Sequence, residues 1–217
     1  MKKYSTVIFD LDGTLLNTDL LIKKSFIHTF KKYKPDYTLS EEELLSFLGP
    51  SLKNTFSCYV EADQIDELIQ YYRDYNHKHH EDFVTIYPNV KEMLEYLKKQ
   101  GFLLGVVTTK YKEAAYLGLD LFNITQYFDV VIGENDVKKS KPDPEGILCA
   151  LKKLNCREGY YIGDNVTDIQ AGKRAGVKTV GVKWSPKGYQ LIEKENPDLL
   201  INDYKEFMEY IKENELC

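Results

Sequence analysis

The sequence of 217 residues lacks three features: a long uninterrupted apolar run, a closely spaced cysteine pair and an excess of positive charge. Because a membrane span needs about 20 successive apolar residues, we expect no transmembrane helix. The four cysteines, Cys58, Cys149, Cys156 and Cys217, are widely scattered. This spacing disfavours a zinc site and is typical of reduced thiols in a cytoplasmic protein. The net charge of −5 disfavours a nucleic-acid partner, which would require a basic face.

What the sequence does contain, from about residue 86 onward, is a regular alternation of short apolar runs with helical patterns. This alternation is typical of βαβ units around a parallel sheet. With the run near the N-terminus, it predicts six buried strands, at residues 7–9, 102–107, 130–132, 160–162, 179–182 and 199–201. We therefore predict an α/β fold whose core is a doubly wound, Rossmann-like parallel sheet.

Residues 17–85 interrupt this alternation, because they show helical patterns and no convincing strand. Ile22, Phe26 and Phe30 recur at every fourth position, and Ser40 with Glu43 forms a capping box before another apolar stripe. We predict that residues 17–85 form an inserted, all-helical cap domain. Residues 1–16 and 86–217 would then form the α/β core domain.

Polar side chains follow four of the predicted strands, where ligands bind in open parallel sheets. They are Asp10 and Asp12 after the first strand, Thr108 and Thr109 after the second, Lys141 in the loop beyond the third, and Asp164 and Asp168 after the fourth. Four neighbouring carboxylates would repel one another unless a divalent cation joined them. Since no histidine or cysteine stands at these positions, the residue types favour Mg²⁺ over zinc or copper.

The same residue types suit phosphoryl transfer, which needs a nucleophile in line with the leaving group and neutralisation of the phosphoryl oxygens. Asp10 is the predicted nucleophile, forming an aspartyl-phosphate, and Asp12 is the predicted acid/base. Gly13 would let the chain turn sharply beside the phosphate. The predicted phosphate-binding residues are Thr108, Thr109 and Lys141. The predicted metal ligands are Asp10, Asp12 and Asp164, with Asp168 as their support.

The order of these motifs along the whole chain resembles that of the haloacid dehalogenase superfamily, in its phosphatase branch with a helical cap after the first motif. This resemblance implies the same roles: Asp10 as nucleophile, Asp12 as acid/base, Thr108 and Lys141 on the phosphate, and Asp164 and Asp168 at the Mg²⁺. Dehalogenases of the superfamily lack an aspartate at the place of Asp12. Carbon–halogen hydrolysis is therefore disfavoured.

Within the superfamily, residues 48–52, 72–80 and 107–110 are similar to those of bacterial cytosolic pyrophosphatases, with phosphoglycolate phosphatase as a near neighbour. The resemblance implies a cytoplasmic hydrolase of pyrophosphate or a small phosphorylated metabolite, a monomer or weak homodimer with no membrane or nucleic-acid partner. A sugar-phosphate phosphomutase and a noncatalytic regulatory protein remain alternatives. Residues 49–53 and 76–80 of the cap are the candidates for contact with the substrate.

Overall fold

The structure, a computed structural model, describes residues 5–215, so Cys217 lies outside the described residues. The strands are β1 Thr6–Phe9, β2 Leu16–Asn17, β3 Thr85–Ile86, β4 Leu103–Val107, β5 Val130–Ile132, β6 Tyr160–Gly163, β7 Lys178–Val182 and β8 Leu199–Ile201. The helices are α1 Asp19–Tyr33, α2 Glu41–Ser46, α3 Leu52–Phe56, α4 Ile65–Lys78, α5 His80–Phe83, α6 Val90–Lys99, α7 Lys112–Leu121, α8 Glu145–Lys153, α9 Val166–Ala175, α10 Tyr189–Lys194 and α11 Tyr204–Glu215. None of these described helices is long and apolar enough to cross a membrane.

The six predicted strands form one parallel sheet in the order β5-β4-β1-β6-β7-β8. On one side of β1 lie β4 and then β5. The chain then returns to the other side of β1, where β6, β7 and β8 follow in order. The direction of winding therefore changes between β1 and β6, and a crevice opens there at the carboxyl ends of the strands. The prediction of a doubly wound α/β fold is confirmed.

Each central strand is apolar along its whole length because both faces of the sheet are covered. In β1, Val7 and Phe9 join the core that α6, α7 and α11 cover, whereas Ile8 joins the core under α8 and α9. All three side chains are fully buried. Such two-sided burial explains why the strands read as continuous apolar runs instead of alternating patterns.

The helices α1 to α5 lie between β2 and β3, and α1 to α4 contribute to a hydrophobic cluster of their own. Phe26 and Phe30 of α1 pack against Phe56 and Tyr72, with ring centroids between 4.7 and 6.3 Å apart. The expected capping box opens α2: Ser40 Oγ accepts from the Glu43 N–H at 3.1 Å, and Glu43 Oε2 accepts from the Ser40 N–H at 2.8 Å. This cluster is separate from the two cores of the sheet.

The expectation that residues 17–85 contain no strand is wrong at the two ends of this segment. Asn17 belongs to β2, and Thr85 belongs to β3. Strand β2 pairs with β3 in an antiparallel ribbon, where Leu16 faces Ile86 and Asn17 faces Thr85. A two-residue strand is too short to show a periodic pattern, so only its pairing identifies it. The ribbon therefore holds together the two places where the chain enters and leaves the helical segment.

Candidate active site

The loop after β1 places Asp10 at the crevice and then turns back sharply. The Asp10 N–H donates to the carbonyl of Ile162 in β6 at 2.8 Å, which extends the sheet by one residue. Gly13 has a φ of +80°, and a Cβ atom there would clash with the Asp164 carboxylate. Glycine is required at this position both for its backbone conformation and for the close approach of Asp164.

Side chains from distant parts of the sequence hold this loop in place. Thr14 Oγ1 donates to Asp164 Oδ1 at 3.2 Å. The Gly13 carbonyl accepts from Trp184 Nε1 at 3.1 Å, and the Thr14 carbonyl accepts from the Tyr204 hydroxyl at 2.9 Å. These bonds satisfy two backbone carbonyls that the turn removes from regular pairing.

Asp10, Asp164 and Asp168 converge at the crevice, and each offers a carboxylate oxygen within 4.8 Å of the others. All three are buried. Asp164 follows β6 directly, and Asp168 lies in the first turn of α9, where its Oδ2 accepts from the Asn165 N–H at 2.9 Å. A group of buried carboxylate oxygens is a donor set that suits a hard divalent cation.

Lys141 is the counter-charge of this carboxylate cluster. Its Nζ lies 2.8 Å from Asp10 Oδ1 and 2.6 Å from Asp168 Oδ1, and it donates to the Tyr161 hydroxyl at 3.2 Å. Burial alone would lower the pKa of Lys141, but Asp10 and Asp168 raise it well above its ordinary value. The lysine is therefore charged at any physiological pH.

The raised pKa values of Asp10 and Asp164 indicate that the positive charge of Lys141 does not offset the negative charge of the three carboxylates. Burial raises the pKa of Asp10 to about 7, opposed by Lys141 and reinforced by Asp168 and Asp12. Burial also raises the pKa of Asp164 well above its ordinary value, and Asp168 and Asp10 add to the shift. Without further positive charge the carboxylates resist ionisation, and a bound divalent cation would relieve this.

Asp12 lies apart from the three clustered carboxylates. Its Oδ1 accepts a hydrogen bond from Lys110 Nζ at 2.8 Å, and its side chain is 19% exposed. Of the three predicted metal ligands, the structure thus brings Asp10 and Asp164 together, and Asp168 completes the cluster. The carboxylate of Asp12 faces a cavity at the sheet edge instead.

The two threonines after β4 contact other loops. The hydroxyl of Thr108 accepts from the Lys110 N–H at 3.1 Å. Thr109 Oγ1 donates to the carbonyl of Gly49 at 2.9 Å, which links the core to the loop between α2 and α3. Neither of these hydrogen bonds joins a threonine to Asp10 or Lys141. Phosphate binding by Thr108 and Thr109 stays a prediction from the sequence.

A cavity of about 500 Å³ separates the carboxylates from the helical segment. Residues 49–53 all line it, as do Asp10, Asp12 and Lys110. Of the predicted range 76–80, Asn76 and His77 line the cavity, whereas His80 is buried close to Gly118 of α7. The cavity therefore joins the carboxyl end of the sheet to part of the predicted cap surface.

Several residues of the site have no assigned role in the sequence motifs. Lys110 stands at a strand end, so its position alone could have identified it. Tyr161 and Tyr204 instead belong to the apolar patterns of β6 and α11, Trp184 lies in the turn after β7, and their hydroxyl and indole contacts appear only in the folded chain. No sequence pattern distinguishes such buried aromatic residues from ordinary core.

Comparison with known proteins agrees with this geometry. Residues 7–182 match the family of haloacid dehalogenase-like hydrolases. Proteins named pyrophosphatase PpaX are 43% identical to the chain in Bacillus velezensis and 42% in Bacillus cereus strain Q1, covering 95% of this chain and 96% and 95% of those proteins.

Solved structures with the same fold include a predicted phosphatase from Clostridium acetobutylicum, with a TM-score of 0.86 and 29% identity over 97% of this chain and 99% of that one. A haloacid dehalogenase-like family hydrolase from Streptococcus pneumoniae superposes with a TM-score of 0.84 and 25% identity, over 96% and 98% of the two chains. The family resemblance predicted from the motifs is confirmed. The chain belongs to the family of haloacid dehalogenase-like hydrolases.

Proposed function

We propose that the protein is a magnesium-dependent phosphatase that hydrolyses inorganic pyrophosphate through an aspartyl-phosphate on Asp10. The observation that carries the reaction type is the position of Asp10, which is buried between Lys141 and two further carboxylates at the end of β1. The choice of pyrophosphate rests on relatives at 42–43% identity that are named pyrophosphatases.

In the proposed reaction, a carboxylate oxygen of Asp10 attacks the phosphorus atom, and the bond from phosphorus to the leaving oxygen breaks. Asp12 gives its proton to that oxygen. A water molecule then attacks the phosphorus of the aspartyl-phosphate and gives a proton to Asp12, and the bond from phosphorus to the Asp10 oxygen breaks, which releases phosphate and regenerates the Asp10 carboxylate. Lys141, Thr108 and Thr109 bind the transferred phosphoryl group.

Asp10 and Asp164 would hold the Mg²⁺, and their buried oxygen donors fit such an ion. Asp12 as a third ligand remains a prediction from the sequence. Asp168 supports the site because it fixes both Lys141 and the backbone of Asn165. When bound, the ion supplies positive charge against the negative charge that develops on the phosphoryl oxygens.

The same proposal includes the domain division and the location. We propose residues 17–85 as the cap and residues 1–16 with 86–217 as the core, which the separate hydrophobic cluster and the β2–β3 ribbon support. The free thiols of Cys58, Cys149 and Cys156 support a cytoplasmic location. We propose a monomer or weak homodimer that acts on a small phosphorylated substrate.

A second candidate substrate is a phosphate ester of a small organic acid, such as phosphoglycolate. A cavity of about 500 Å³ has more room than a single pyrophosphate ion fills, and part of its lining is apolar. Phe26, Phe47 and Ile69 belong to that lining.

The test is phosphate release by the purified protein from pyrophosphate and from phosphoglycolate, with and without Mg²⁺. We expect hydrolysis that EDTA abolishes, and a loss of about a thousandfold or more in kcat for Asp10→Asn. Asp63→Asn, an exposed substitution in the helical segment, is the matched control.

Equal activity of Asp10→Asn and the wild-type protein would refute the role of Asp10. Isomerisation of a sugar phosphate without phosphate release would favour the phosphomutase alternative. Absence of turnover on both substrates would refute the proposed substrate class and favour a noncatalytic protein.

A further inference from the structure

Lys110 occupies a fixed position at the mouth of the catalytic crevice. Its N–H donates to Thr108 Oγ1 at 3.1 Å, and its carbonyl accepts from the Glu134 N–H at 2.9 Å. The side chain is 12% exposed and lines the cavity. Because the backbone is held on both sides, the ammonium group is directed to one place without a large loss of conformational freedom on binding.

Lys110 and Lys141 contact different ends of the catalytic loop. Lys141 reaches Asp10 and Asp168 on the buried side, where the transferred phosphoryl group would be bound. Lys110 reaches Asp12 on the side of the cavity. Since Asp12 is the proposed donor to the leaving oxygen, a leaving group within its reach also lies beside the Lys110 ammonium.

The other charged groups of the cavity restrict where an anion can bind. The lining has three further basic side chains: Arg73, which stacks on the Tyr111 ring at 3.5 Å, Lys53, which is exposed on α3, and His77. Besides Asp10 and Asp12, the carboxylates of the lining are Asp66, Asp74, Glu113 and Glu134. A leaving group that carried its negative charge far into the cavity would meet these acids, so a compact anion is favoured.

We infer that Lys110 is a specificity-determining residue that binds the negative charge of a compact anionic leaving group. This inference rests on the proposed function. On binding, the ammonium exchanges the Asp12 carboxylate for an oxygen of the leaving group, which frees Asp12 to act on the leaving oxygen. The substrates that fit are pyrophosphate, whose leaving group is phosphate, and esters of a small hydroxy acid, whose leaving group carries a carboxylate.

The test compares Lys110→Gln with the wild-type protein on three substrates: pyrophosphate, phosphoglycolate and 2-hydroxyethyl phosphate. The last differs from phosphoglycolate mainly in lacking the negative charge on its leaving group. We expect Lys110→Gln to lower kcat/KM for the anionic substrates by about 10- to 100-fold more than for 2-hydroxyethyl phosphate, largely through KM. Lys110→Arg, which keeps the charge, should retain most of the discrimination.

The matched control is Lys112→Gln, because Lys112 pairs with Asp136 outside the cavity. Its substrate preference should equal that of the wild-type protein. An equal fall of Lys110→Gln on all three substrates would overturn the inference, since Lys110 would then only orient Asp12. If the wild-type protein hydrolyses phosphoglycolate and not pyrophosphate, the proposed pyrophosphatase function fails, while unequal losses of Lys110→Gln on the two esters still support the inference.

Discussion

A single hydroxyl group, that of Tyr161, connects three parts of the active site. It donates to the carbonyl of Val107 at 3.0 Å and lies 3.2 Å from Lys141 Nζ and 3.4 Å from Asp168 Oδ1. The ring is fully buried in the core beneath α8 and α9. A residue that reads as ordinary core therefore fixes both the lysine and the end of β4 just before Thr108.

Replacing Tyr161 with Phe removes this hydroxyl and leaves the Val107 carbonyl buried without its partner. We expect kcat/KM to fall by about 10-fold and the free energy of unfolding to fall by about 1–3 kcal/mol. Steady-state kinetics and urea unfolding measure the two effects. Tyr160→Phe, which changes the opposite core, is the control, and an equal loss of activity in both variants would contradict a role of Tyr161 at the site.

His80 makes the stability of the protein depend on pH. Burial, with Lys110 as the next contributor, lowers the pKa of His80 to about 4, and its Nδ1 has no hydrogen-bond partner among the described residues. Between this value and the ordinary pKa of about 6.5, the unfolded chain binds a proton that the native state excludes. The free energy of unfolding therefore falls as the pH falls through this interval.

His80→Gln should weaken that dependence, because glutamine does not titrate. Urea midpoints of both proteins at pH 7 and pH 5 provide the measurement. We expect the wild-type protein to lose more stability than the variant over this step, and identical losses would contradict the effect of His80.

Among the structural elements, the loop between α2 and α3 makes a close contact between the helical segment and the core. Gly49 has a φ of +108°, and a Cβ atom there would lie 2.8 Å from the Asn165 side chain. Its carbonyl accepts from Thr109, so the loop lies between two strand-end segments of the sheet. The tightness of this contact depends on the absence of a side chain.

Gly49→Ala should therefore hold the two parts slightly apart and strain the loop. We expect kcat/KM to fall by about 10-fold or more, since small displacements of positioning groups are costly to catalysis. Measured with the same kinetics, Ser46→Ala, on the exposed end of α2, serves as the control. Unchanged activity of Gly49→Ala would show that this contact is not needed for turnover.

The elements that could be predicted from sequence are those with a repeating pattern. The six strands of the sheet were predictable because burial on both faces requires a continuous run of apolar residues. The capping box at Ser40 was predictable because its two hydrogen bonds join residues only three positions apart. The β2–β3 ribbon and the pairing of Asp12 with Lys110 were not, since each depends on residues far apart in the chain. Asp10, Asp164 and Lys141 were predictable as neighbours because parallel strands end at one edge.

At the scale of the whole molecule, the proposed metal site predicts that the stability of the protein depends on Mg²⁺. Asp10, Asp164 and Asp168 repel one another, so Mg²⁺ should stabilise the native state, by an amount that grows with the logarithm of its concentration above the dissociation constant. The melting temperature should rise with Mg²⁺ and fall in EDTA. Calorimetry or a dye-based melting assay measures this shift.

Asp164→Asn removes one of the repelling charges and one proposed metal ligand. The lost charge should affect the melting temperature in EDTA, and the lost ligand should affect the response to Mg²⁺. In EDTA the variant should melt at or above the temperature of the wild-type protein, and Mg²⁺ should no longer raise it. Asp203→Asn, outside the cluster, should keep the wild-type response. A full Mg²⁺ response in Asp164→Asn would refute its role as a ligand.

The bonds from Trp184 and Tyr204 to the carbonyls of Gly13 and Thr14 have a consequence for the order in which the enzyme becomes competent. The loop after Asp10 is held by side chains that are translated 171 and 190 positions after their partners in the loop. Every proposed catalytic group has been synthesised by residue 168. A nascent chain halted there would carry all of the proposed reacting groups and still lack the two bonds that hold the loop after β1.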